Sequence, residues 1–84
     1  MLDREDRAVM ARINPEFSDR MKKRVLFDYP RFRGEARYDK DALRSELKKV
    51  KNDLAEAIYL GSSTEELLVK REVLYLLAED LGLM

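Results

Sequence analysis

Cysteine and histidine are both missing from this chain of 84 residues, and glycine and proline are scarce, with three and two copies. Without cysteine there is neither a disulfide framework nor a thiolate metal site. Without histidine there is no Ser-His or Cys-His pair, no imidazole base and no ordinary zinc site. The glycines stand alone at Gly34, Gly61 and Gly82, so no glycine-rich phosphate loop can be drawn. Neither sign of charge dominates: 17 Lys and Arg balance 17 Asp and Glu, and the sequence pI is near 6.3. A general nucleic-acid binder carries a basic excess, so the balance speaks against that class for the chain as a whole. The longest apolar run is Val73 to Ala78, far short of a membrane span. Asp3, Arg4, Glu5, Asp6 and Arg7 stand where the apolar region of a secretory signal would be needed. The expectation is a cytoplasmic protein, off the membrane, without catalytic, cofactor-binding or metal-binding residues.

What is present is helix-forming. Hydrophobic residues make up 45% of the chain and charged ones 40%, a combination that suits a folded helical protein better than a disordered one. The length allows one domain, and a domain this small buries only about 60–65% of the surface of its unfolded chain. Its stability must come from helix packing, association, or both.

The stretch 66–81 dominates the pattern. At about 100° per residue, Leu67, Leu74, Ala78 and Leu81 form one stripe, while Val69, Val73 and Leu76 form a second on roughly the opposite side. A helix apolar on nearly every side needs cover on more than one side. Before it, Leu43, Leu47, Val50, Leu54 and Ala57 recur at spacings 4, 3, 4, 3, a heptad seam. Asp39 or Asp41 is placed to cap that helix, and Gly61 to stop it. Ser62 with Glu65, or Ser63 with Glu66, can form a capping box for the next. So short a connection predicts an antiparallel helical hairpin over 41–82.

The N-terminal part, 1–27, reads as two shorter helices. Asp3 caps the first, with Val9, Met10 and Ile13 on its apolar side. Asn14-Pro15 breaks it and starts the second, whose stripe is Phe17, Met21 and Val25. Residues 28–40 read as a connection, because Tyr29-Pro30 disfavours helix and Val25, Phe27 and Tyr29 alternate as in a strand. The expected fold is all-α: short N-terminal helices, then a long hairpin. Its second stripe, Val69, Val73 and Leu76, is expected to be a self-association surface that completes a helical bundle in a homodimer. The competing cover is the N-terminal segment of the same chain.

Three sets of residues raise questions of function. The segment 28–38 interleaves aromatics with arginines, and 19–40 holds eight basic and four acidic residues. Tyr29, Arg31, Phe32, Arg33 and Arg37 are therefore the candidate contacts to a partner. Aromatics with arginine serve interface hot spots and also single-stranded nucleic acid. Arg71 falls in the register of Leu67, Leu74 and Ala78. Either its stem covers apolar surface while its head reaches water, or it enters an ion pair that specifies a partner. Glu72 and Glu79 share a face and, with Glu65 and Glu66, could hold magnesium. A solvated edge and first-turn capping charges explain them more simply.

The hairpin from Leu43 to Leu81 resembles in outline the small two-helix aspartyl-phosphate phosphatases of sporulating bacteria, whose second helix carries a Ser-x-x-x-Asp pattern. Here Lys70 and Leu74 stand at those positions, so neither role carries over and only a helical hairpin is implied. The sequence thus points to a non-enzymatic interaction module, self-associating, that acts as adaptor or regulator of an unidentified partner protein. The alternative is a nucleic-acid binder using 20–38.

Overall fold

The structure, a computed structural model, describes residues 4–34 and 39–83. It contains four helices, α1 (Arg4–Arg12), α2 (Asp19–Gly34), α3 (Lys40–Leu60) and α4 (Glu65–Asp80), and no strand among the described residues. The proposed cap Asp3 lies outside them. Helix α4 is the centre. α2 packs on it from one direction and α3 from another, and α1 packs on α2.

Helix α3 follows its seam. Leu43, Val50, Leu54 and Ala57 are buried and Leu47 packs against them. Asp39 accepts from the Ala42 backbone N–H at 2.8 Å, which satisfies one of the free donors of the first turn. Gly61 closes the helix at φ 70°, a left-handed conformation that costs glycine little, and its N–H and that of Ser62 return to Ile58 and Ala57. The start of α4 departs from expectation. Thr64 occupies the N-cap position without a side-chain cap bond, so neither capping box forms. Glu65 and Glu66 instead reach across to Arg20 and Arg24 of α2. They still sit in the first turn, where the helix dipole favours negative charge.

Two further boundaries move. Asn14 does not cap α2. Its side chain accepts from Glu16 N and its carbonyl from Phe17 N, forming a turn over 14–17. Ser18 is the cap, with its hydroxyl accepting from Met21 N at 3.3 Å. The larger correction concerns 28–40. There is no strand at 25–29, and α2 runs through Pro30 to Gly34. Proline inside a helix removes one backbone bond and crowds the preceding turn. Burial compensates: Val25 and Tyr29 are enclosed and Phe32 packs on the core, and all three fall on one face only if the helix continues.

Extending α2 changes what covers α4. The stripe Val69, Val73 and Leu76 is 1%, 0% and 1% exposed within the single chain. The expected subunit interface at these residues is therefore corrected: they are core. Had α2 stopped at residue 27, it would have brought only Met21 and Val25, with Phe17 from the turn before it. Continued to Gly34, it adds Tyr29 and Phe32, while Ile13, Val9 and Met10 close the remaining edge.

Pro30 is exposed, so it can be replaced without disturbing the core. Pro30→Ala should restore a helical backbone bond and raise stability by about 1–3 kcal/mol. Urea unfolding reads this directly. No gain would mean that the chain around Pro30 is not helical in solution.

Candidate interaction surfaces

The acidic residues considered for magnesium are not brought together. Glu79 and Asp80 both receive Arg12 Nη2, each at 3.0 Å, and Glu65 and Glu66 are paired with α2. Among the described residues no group of three acidic side chains is placed to share a cation. Glu72 is buried under the turn after α1. Burial pushes its carboxyl above the usual range, while a hydrogen bond from the Asn14 backbone and the charge of Arg71 pull the other way.

The sign of that shift gives a pH prediction. The folded state holds the Glu72 proton more tightly than the unfolded state, so this group's contribution is favourable at low pH. It is lost as pH rises from the unfolded carboxyl value, about 4.3, through the folded one. Glu72→Gln keeps an acceptor for Asn14 and removes the charge. The variant should match the wild type near pH 4 and be the more stable of the two at pH 7, as read by urea midpoints at both. A variant less stable at pH 7 would show that the charged form is favoured where it sits.

The five expected partner contacts separate. Tyr29 is 2% exposed and belongs to the core, so it is corrected from a surface contact to a structural anchor. Its hydroxyl bonds to Asp80 and receives Arg12 Nη1 at 3.3 Å. Phe32 is half-buried against the core. Arg31 and Arg33 are exposed, with their guanidinium groups near the rings of Phe27, Phe32 and Tyr29. Arg37 lies outside the described residues. One aromatic that was not singled out is on the surface: Phe27 is 70% exposed, one turn from both Lys23 and Arg31.

The other surface was missed by sequence reasoning altogether. Between α3 and α4 runs an open groove of about 720 Å³. Leu47, Leu54, Ile58 and Tyr75 give it apolar walls, and Lys48, Lys51 and Arg71 give it cationic ones. Among the described residues Arg71 pairs with no carboxylate, and it does not send its whole head into water. Its guanidinium lies over the Tyr75 ring, 5.6 Å from the centroid, and its Nε is buried with no hydrogen-bond partner. α3 ends in Ile58, which lines the groove, followed by Tyr59 and Leu60, and the three are 69%, 88% and 64% exposed. Consecutive helical residues point about 100° apart, so three large apolar ones cannot share a buried face. That signal was in the sequence. So was a second register one residue behind the seam, Arg44, Lys48, Lys51, Ala55 and Ile58, again at spacings 4, 3, 4, 3.

No helix among the described residues is long and apolar enough to cross a membrane. Compared with known proteins, the chain matches no family model, no curated protein and no solved structure.

Proposed function

We propose that this chain is a non-enzymatic helical interaction module, an adaptor or regulator, that binds a partner protein in the groove between α3 and α4. One observation carries the reading. The core is closed by the chain's own helices, yet Leu47, Ile58 and Tyr75 remain around an open cleft, continuous with the exposed end of α3. Adjoining apolar side chains left open beside polar ones mark interaction sites. Self-association through α4 is no longer needed, because α2 supplies the missing cover. The non-enzymatic character rests on the missing histidine, cysteine and phosphate-binding loop.

The test uses the wild type and Leu47→Gln/Ile58→Gln as affinity baits in an extract of the native organism. Both should be equally helical. A partner held by the wild type and lost from the variant supports the groove, and a partner held equally by both places binding elsewhere.

A second reading keeps nucleic acid in view. Lys23, Phe27 and Arg31 recur every four residues on α2, with the Arg31 guanidinium 5.9 Å from the Phe27 ring centroid. An exposed ring between two cations is the arrangement on which single-stranded bases stack. On that reading, single-strand affinity falls steeply with salt. Each phosphate contact removed, as by Arg31→Ala, lowers the slope by about 0.7. A slope unchanged by Arg31→Ala and Phe27→Ala would remove it.

A further inference from the structure

The chemistry of the groove says which kind of partner it takes. Among the described residues its lining carries three cations and no acidic side chain. The ion pairs that α3 makes among the described residues, Arg44 with Asp41 and Glu46 with Lys70, leave Lys48 and Lys51 out. Arg71 adds a buried donor without an acceptor. Two ammonium groups and a guanidinium lining one cleft are matched best by carboxylates. The apolar walls require the rest of the occupant to be apolar on the side that enters.

Shape narrows it further. The α3 wall runs from Leu47 to Ile58, about three helical turns or roughly 17 Å, and α4 forms the facing wall. A groove between two helices, of that length, fits the ridge of a third helix. A second copy of this chain fits poorly. Two-fold apposition of the groove would set the cations Lys48, Lys51 and Arg71 of one chain against the same cations of the other. An extended nucleic-acid strand would find apolar side chains where its sugars must lie.

We propose that the groove between α3 and α4 receives an acidic amphipathic helix of a partner protein. Its apolar ridge lies against Leu47, Leu54 and Ile58, and its flanking carboxylates meet the charges of Lys48, Lys51 and Arg71. This rests on the groove being the docking surface, and goes beyond it by fixing the partner's chemistry.

The experiment titrates the full chain, labelled with ¹⁵N, with two synthetic helical peptides about fourteen residues long. Both carry leucine at i, i+3, i+7 and i+10; one has glutamate at the flanking positions and the other glutamine. The glutamate peptide should shift the amides of Lys48, Lys51, Ile58 and Arg71. It should bind about tenfold or more tightly than the glutamine peptide, as expected when charge-assisted bonds are made to an otherwise unpaired cation. Lys48→Gln/Lys51→Gln, at exposed positions with no part in the core, should erase that preference, and Arg71→Gln should reduce it. A folded baseline is checked by circular dichroism. Equal binding of both peptides in the groove would overturn the acidic partner and leave the docking surface standing. No shift with either peptide at millimolar concentration would overturn both. Groove shifts that grow with protein concentration alone would make the occupant a second copy, and would also overturn the proposal.

Discussion

Leu76→Glu should leave this protein largely unfolded at 25 °C, not folded at half its mass. Leu76 is 1% exposed within one chain, beside the equally enclosed Val73 and Leu74. The substitution removes a buried aliphatic side chain and places an unpaired carboxylate in its position. Either event alone is expensive, about 2–5 kcal/mol for the lost side chain and several more for the unpaired carboxylate, so together they reach on the order of 5–10 kcal/mol. A small domain has on the order of 5–10 kcal/mol to lose. Far-UV circular dichroism and a urea titration read the outcome. A helical, soluble monomer would show that the stripe faces a second subunit after all. Leu74→Glu serves as the reference for full unfolding, since Leu74 is buried and sits in the other α4 stripe, the one that continues the register of Leu67 and Ala78.

Tyr29 is the second large effect. Its ring is buried between α2 and the core, and its hydroxyl joins a polar cluster that ties three helices together. Arg12, at the end of α1, donates to Tyr29, to the Leu76 carbonyl at 3.2 Å and to Glu79 and Asp80 at the end of α4. Partial burial works against the Arg12 charge, but the bonds with Tyr29, Glu79 and Asp80 outweigh it, so the guanidinium is held protonated more firmly than usual. A cation here also lies at the carbonyl end of α4, where the helix dipole favours positive charge. Tyr29→Ala should cost about 3–5 kcal/mol, the range for truncating a buried aromatic. Tyr29→Phe should cost about 1–2 kcal/mol, because the ring stays and only the hydroxyl bonds are lost. A double-mutant cycle with Asp80→Asn isolates the hydroxyl–carboxylate coupling. A Tyr29→Ala protein as stable as the wild type would return Tyr29 to the surface and shorten α2.

These two residues show how far the sequence could be read. The seam of α3, its stop at Gly61 and its cap, narrowed to Asp39 or Asp41, were legible, because they depend on local periodicity and on backbone conformations that few residues adopt. The need for cover on both sides of α4 was legible too. Which segment provides it was not, since that turned on one boundary. Tyr29-Pro30 is a sound local signal for an extended backbone. Here the burial of Tyr29 and Phe32 outweighs it, and burial is a tertiary term invisible to a dipeptide rule. The Arg12 cluster was out of reach for another reason. Its partners on α4 lie more than sixty positions along the chain, and one arginine does not stand out where 40% of residues are charged. The groove had a signal that went unused. The register Arg44, Lys48, Lys51, Ala55 and Ile58 repeats the seam's own spacing, and its mixture of cations and small or apolar groups is what an open flank looks like beside a closed one.

Enclosure of α4 by α2 and α3 of the same chain leaves the flank of α3 open for a partner. Sedimentation equilibrium from micromolar to millimolar concentration, paired with thermal melts across the same range, tests this most directly. The account predicts one species of 9.9 kDa throughout and a melting temperature independent of concentration. A species of twice that mass, melting higher as concentration rises, would contradict it.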